Sequence, residues 1–294
     1  MKNKTFIKGV NIFLFLLPAL LLFVGILIAP IFLSAYYSTF DWNGMSSAKE
    51  FVGIKNYTEM FTSNSIGFAK ALKNSLLLAL LSVFIQLPLS LGLALLLGKG
   101  MKGERFFLSV FFMPVLISTV VIGQLWLKIY NPDYGILNVT LAKLGFENLQ
   151  KLWLGDKKIA LWACFVPMLW QYVGYHMLFM YAGVKGVSTD LREAAMIDGA
   201  TQGQVNRYIV IPIIKPVLRV SVIFAVTGSL KAYDLIYVLT NGGPLHATEV
   251  PSTRMIEMLF QRNRYGMGSA MAVMLILLCF AFALIISAIF KEDR

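Results

Sequence analysis

The sequence predicts an all-α polytopic membrane protein with six transmembrane helices, and three observations carry that prediction. Hydrophobic residues make up 58% of the 294 positions and charged residues only 14%. Mean hydropathy is +0.72. The apolar residues gather into six runs, each near the ~20 residues that a bilayer core of ~30 Å requires: 12–36, 75–97, 106–127, 159–184, 217–239 and 269–290. The length alone would accommodate two soluble domains, but this composition overrules it.

The net charge of +11 would suggest nucleic acid in a soluble protein. Here Lys and Arg flank the apolar runs, so membrane orientation and lipid head groups explain them more simply, and no nucleic-acid partner is expected. Cys164 and Cys279 sit inside apolar runs without CxxC spacing. They read as packed thiols, with neither a disulfide nor a metal site expected.

Taken in order, the chain begins with Lys2, Lys4 and Lys8, followed by an apolar run too long for a signal-peptide core. That run is expected to stay as an anchor. Pro18, Pro30, Pro88, Pro114 and Pro167 lie in or near the runs and predict kinks, tolerated where neighbouring helices satisfy the freed backbone groups. Lys99, Lys102 and Arg105 follow the second run, and Lys291 and Arg294 close the chain. With six spans, these clusters, the N-terminus and the 188–216 segment share one side, which the positive charge marks as cytoplasmic, both termini included. The opposite loops are longer and interleave Asp41, Glu50, Glu59, Asp133 and Asp156.

The 188–216 segment is the longest well-patterned polar stretch. It predicts two short helices joined by a glycine. Asp190 is expected as N-cap with Glu193 reaching back in a capping box. Ala194, Ala195, Met196 and Ile197 then form an apolar knob on small residues, and Gly199 supplies the left-handed turn that ends a helix. Thr201 with Gln204 offers a second capping pair, and Pro212 and Pro216 mark re-entry into an apolar run.

This segment closely resembles the EAA loop of ATP-binding-cassette importer permeases. The pattern reads Glu193, Ala194, Ala195, Gly199, Ile209, Ile211, Pro212, with Asp198 and Ala200 completing a DGA triplet; Ile211 in place of a leucine is the one departure. The resemblance implies a type I importer permease. Residues 191–197 would be a coupling helix seated in an ATPase cleft, contacting it through Leu191, Glu193, Ala194, Ala195 and Met196, with Asp198 and Gly199 setting the bend. The external stretches FVGIKNY (51–57) and TNGGP (240–244) resemble the carbohydrate-importing branch that includes maltose and glycerol-phosphate permeases. By the same resemblance, 1–70 is an extra helix and external loop, 71–284 the permease core, and 285–294 the end of the last helix with its tail.

No GxxxxGK[ST] phosphate loop occurs, so nothing in this chain cradles ATP as that motif does; the resemblance implies that ATP and Mg sit on a separate ATPase. The family implies two such ATPase subunits, a second permease usually forming a heterodimer, an extracytoplasmic solute-binding protein, and a sugar substrate. Polar residues inside spans are costly and mark candidate pathways. The fourth run carries Trp170, Gln171, Tyr172, Tyr175 and His176; the fifth carries Thr227, Ser229, Lys231, Tyr233 and Asp234; Gln86 and Gln124 add amides in the second and third. Aromatic faces beside amides and hydroxyls suit sugar rings. Lys231 and Asp234 could instead pair at i and i+3, and His176 could be a satisfied core histidine. Ion-coupled secondary transport, and import of glycerol-phosphate or a sugar acid, are the alternatives. With His176 and His246 the only histidines and no metal spacing, an embedded enzyme is not expected.

Overall fold

The computed structural model describes residues 2–46 and 49–290, with side chains from Ile12 onward. The side chains of Lys2, Lys4 and Lys8, together with Lys291 and Arg294, lie outside the described residues. Four helices among the described residues are long and apolar enough to cross a bilayer: Ile12–Tyr37, Phe68–Leu97, Lys215–Thr240 and Tyr265–Ile289. A fifth span results if Glu104–Leu116 and Thr119–Ile129 are taken together, although the two are bent by 94°. The helix Ala160–Lys185 has a span's length at 26 residues. Its Gln, His, Tyr and Trp residues dilute its apolarity, so it falls outside the four or five spans that length and apolarity together give among the described residues.

The expected third run is thus broken. Ile117 and Ser118 are extended, with ψ of 136° and 134°. Apolar residues continue on both sides of the break, which hides it in the composition. The fifth run also breaks, between Leu230 and Asp234. The prolines are accommodated in a specific way. π-helical turns at Phe23–Ile28, Ser82–Gln86 and Asn206–Val210 each end just ahead of Pro30, Pro88 and Pro212. Proline has no N–H to donate and its ring crowds the carbonyl one turn back, so a widened turn relieves the clash.

The chain divides into two compact units. The smaller comprises Met1–Ile66 with Met255–Ile276. In it, a ribbon of two-residue strands, Phe40–Asp41 and Glu50–Phe51, pairs Phe40 with Phe51. Buried Asn56 donates to the carbonyls of Ser38 and Phe40 at 2.8 and 2.9 Å. The Lys49 ammonium lies 4.6 and 4.8 Å from the Tyr37 and Trp42 rings, a favourable cation–π geometry. Glu59, on helix Lys55–Thr62, takes two 3.0 Å hydrogen bonds from Arg264.

Those hydrogen bonds from Arg264 hold the Glu59 carboxyl below its ordinary value, against partial desolvation. Because the folded pKa is depressed, the pair's contribution is complete above the usual carboxylate range and is lost as pH falls through the lowered value. Both side chains remain a third exposed, so Glu59→Gln is expected to cost only about 0.2–1 kcal/mol at neutral pH. Thermal midpoints in detergent, compared across pH, should show the difference closing below about pH 4.

The larger unit comprises Gly67–Arg254 with Leu277–Arg294. Its centre is the packing of Phe68–Leu97 on Ala160–Lys185, through Leu87, Ala94 and Leu97 against Met177 and Met180, with Ala225 of the fifth span. Polar bonds pin the register: Gln86 Nε2 donates to Leu169 O at 2.8 Å, and Ser90 Oγ to Val173 O at 2.8 Å. Each such interhelical bond contributes roughly 0.6 kcal/mol in lipid, and each removes a polar group from apolar surroundings. At the other end of the second span, Asn74 donates to Ala247 O and Glu249 O at 3.0 and 2.8 Å.

Candidate functional site

A cavity of about 350 Å³ opens among the helices of the larger unit. That volume lies within the ordinary range for small-molecule pockets. Gln171, Tyr172, Tyr175 and His176 of Ala160–Lys185 form one wall. The broken fifth span forms another, with Thr227, Ser229, Lys231, Tyr233 and Asp234. Ser82 and Gln86 of the second span and Thr119, just past the bend in the third, complete the polar lining. Met168 and Phe224 supply apolar surface.

The spacing explains the first wall. Residues 168, 171, 172, 175 and 176 recur at helical intervals of three and four, which places them on one face. Trp170 is two residues, or about 200° of helix, from Met168, on the side opposite that face. It is therefore off the cavity lining: its ring stands 6.0 Å from that of Trp126 and the residue is exposed. Gln124, in the third run, is exposed and also off the lining.

Aromatic rings frame the cavity edge-on. Tyr172 and Tyr175 meet at 6.4 Å in a T-shape, Tyr175 lies 5.3 Å from the His176 ring, and Tyr233 stacks on Tyr237 at 5.2 Å. Gln171 and His176 are buried to 3% and 4% exposure, yet Gln171 Oε1 and His176 Nδ1 have no hydrogen-bond partner among the described residues. An unpartnered buried polar atom costs free energy, so two on one wall of one cavity mark a surface prepared for polar ligand groups.

Lys231 and Asp234 do not form the i, i+3 pair that stood as the alternative to a pathway role. No ion pair within 4.0 Å joins them among the described residues. Lys231 caps the end of Lys215–Leu230 and Asp234 starts the next helix, so the two are not on one continuous helical face. Both charges stay available to the cavity. Sequence reading passed over Ser82, Thr119 and Gly228 here, because single small residues in apolar runs carry no pattern. No neighbouring atom lies within 4 Å of where a Gly228 Cβ would stand, so its missing side chain widens the space.

The second candidate surface is the 188–216 segment. Helix Thr189–Ile197 is capped by Ser188, whose Oγ accepts from Asp190 N at 3.2 Å. Asp190 therefore is not the N-cap; the cap and the helix start lie two residues earlier, and Asp190 sits in the first turn, where the helix dipole favours an acid. Glu193 is exposed and makes no cap bond among the described residues. The expected box at Thr201 is present, with Gln204 N and Thr201 Oγ1 at 3.4 Å and Thr201 N and Gln204 Oε1 at 2.7 Å.

Gly199 has φ +86°. Ala200 N bonds Ala195 O at 2.9 Å and Gly199 N bonds Met196 O at 3.1 Å, the paired bonds of a Schellman ending. Ala195 and Ala200 pack inward on Val184, Val187, Val205, Val210 and Ile214. Leu191, Met196 and Ile197 are exposed, Ile197 to 86%. Glu193, Ala194 and Asp198 share that outer surface. An exposed apolar knob between polar residues, on a helix fixed at both ends, suits insertion into a groove of another protein.

The fold and these two surfaces define a helical membrane protein with a cavity among its helices and a capped helix that exposes apolar residues. The chain belongs to the family of binding-protein-dependent transport system inner membrane components, whose pattern matches residues 86–292. A Pyrococcus horikoshii protein described as a probable ABC transporter permease is 38% identical over 93% of each chain. The diacetylchitobiose uptake system permease of Streptomyces coelicolor is 31% identical, over 97% of this chain and 84% of its own. The trehalose/maltose transport system permease of Thermococcus litoralis is 29% identical, over 93% and 91%. In fold, the chain is similar to one from a bacterial ABC transporter that imports the acidic polysaccharide alginate, with TM-score 0.84 at 21% identity over 99% and 98% of the two chains.

Proposed function

We propose that this chain is the permease subunit of an ATP-driven, binding-protein-dependent carbohydrate importer, supplying half of the translocation pathway. The observation that carries this reading is the helix Ala160–Lys185, which bears the unpartnered Gln171 and His176 of the cavity and leads directly into the capped helix Thr189–Ile197. In this reading six helices cross the membrane, both termini are cytoplasmic, and Leu191, Glu193, Ala194, Ala195, Met196, Asp198 and Gly199 couple to one of two ATPase subunits that hold ATP and Mg. A second permease closes the pathway, and an extracytoplasmic solute-binding protein delivers the sugar. ATP-driven closure of the ATPases displaces the docking helix, and the membrane helices follow between inward- and outward-facing states.

Sugar recognition falls to the cavity. Tyr172, Tyr175 and Tyr233 offer faces and edges to sugar rings, while Gln171, His176 and Ser229 meet hydroxyls. Tyr172→Ala and Tyr175→Ala are each expected to raise the half-saturating sugar concentration by roughly 5- to 30-fold, about 1–2 kcal/mol of lost contact. Transport assays in vesicles at matched protein level measure this; unchanged values for both would assign the rings to packing alone. The unpaired Lys231 favours a second reading, an anionic sugar or glycerol-phosphate. Competition of uptake by neutral oligosaccharides against sugar acids separates the two.

A further inference from the structure

We propose that Arg192 is a positioning residue that ties the docking helix to the cavity wall, so that movement of the one is imposed on the other. This rests on the transporter reading above. Arg192 precedes Glu193 but faces the opposite way: it is half-buried, and its guanidinium Nη2 donates to the carbonyl of Val184. Val184 lies in the last turn of Ala160–Lys185, where the helix dipole is negative. Val184 O also accepts from Val187 N at 3.3 Å, so the guanidinium adds a second, charged donor to a carbonyl at the negative end of the helix dipole.

The receiving end is held firmly. Val184 is 2% exposed, and a Cβ at Gly98, ending the second span, would stand 2.5 Å from Val184 Cγ1. Lys185 pairs with Glu104 at 3.1 Å, and the Tyr181 hydroxyl donates to the same carboxylate. These contacts tie the end of Ala160–Lys185 to the second span and to Glu104–Leu116. From Val184 to His176 is eight residues of unbroken helix with no proline, about 12 Å at 1.5 Å per residue. Arg192 Nε is itself buried without a partner among the described residues. A side chain retained with one donor unsatisfied, in a packed joint between moving parts, fits a residue kept for connection more than for stability.

The test uses the assembled transporter in liposomes, reading ATPase content, ATP hydrolysis and sugar uptake. Arg192→Met keeps the stem and removes the donors; Arg192→Lys keeps the charge. Arg192→Met is expected to retain its ATPase while ATP consumed per sugar imported rises roughly fivefold or more, with Arg192→Lys intermediate. An unchanged ratio in Arg192→Met overturns the proposal, as does loss of the ATPase from it, which would make Arg192 a docking contact. If Arg192→Met does not accumulate, Arg192→Lys decides: a raised ratio with full assembly supports the link, and a wild-type ratio overturns it. A wild-type preparation with no ATPase overturns this proposal and the transporter reading together, whereas failure of the ratio alone overturns only the role of Arg192.

Discussion

Gly199→Val is expected to reduce uptake on the order of tenfold or more while leaving the protein inserted at its normal level. The backbone at Gly199 has φ +86°, which a β-branched residue adopts only with strain of ~1–3 kcal/mol. Space is not the obstacle, since nothing lies within 4 Å of a Cβ at this position. The damage is therefore conformational: the bonds from Gly199 N and Ala200 N that end the helix are lost, and the chain leaves Thr189–Ile197 in a new direction. Leu191, Met196 and Ile197 then present themselves wrongly to the ATPase. Because asparagine tolerates the left-handed region, Gly199→Asn should retain more uptake than Gly199→Ala, and Gly199→Val the least. Uptake normalised to membrane-inserted protein measures the series, and full uptake by Gly199→Val would remove Gly199 from the coupling path.

Gly174→Ala is expected to act on the fold itself. A Cβ at Gly174 would stand 1.8 Å from the Phe111 carbonyl oxygen and 2.5 Å from its carbon. These are backbone atoms of Glu104–Leu116, so no side-chain rotation makes room. The two helices must separate, opening the contact just beside Tyr175 and His176. Overpacking of this kind costs about 3 kcal/mol or more in a closely packed interior. The expected result is poor accumulation in membranes, and for any protein recovered, a clearly lower thermal midpoint in detergent. Gly92→Ala is the control: nothing lies within 4 Å of its Cβ, and alanine favours helix, so it should be neutral or mildly stabilising. Equal behaviour of the two variants would contradict the close approach at Gly174.

The contrast between these glycines shows what could be read in the sequence. Gly199 was legible because its role is local: a helix signal before it and a capping pair after it, at Thr201 and Gln204, leave few other conformations. Gly174 was not legible, because its reason is a carbonyl sixty-odd residues away in sequence. The cavity wall followed from helical spacing once the polar residues of the fourth run were noticed, but spacing does not say which neighbour faces inward, and so Trp170 was grouped with Gln171. The break at Ile117–Ser118 has apolar residues on both sides, so hydropathy runs straight through it; at 231–234 the polar residues are few and apolar ones resume at once, so the run reads as continuous. Ser188 displaces Asp190 as the cap because serine and aspartate are nearly equal in that role, and a two-residue difference in helix start lies within the ambiguity of any such pattern. Family membership, meanwhile, sets aside the ion-coupled reading.

The central claim is that Thr189–Ile197 is a cytoplasmic lever moved by a separate nucleotide-hydrolysing subunit. Ile197, 86% exposed, is the position to probe, as Ile197→Cys in the whole transporter. The native Cys164 is buried and Cys279 lies half-buried within the last helix, so a membrane-impermeant thiol reagent should report the new thiol. The expected result is labelling from the inner face only, and a bifunctional thiol reagent that joins residue 197 to the ATPase in a yield that changes with ATP. Labelling from the outer face, or a purified transporter in which residue 197 cross-links to no ATPase, would contradict it.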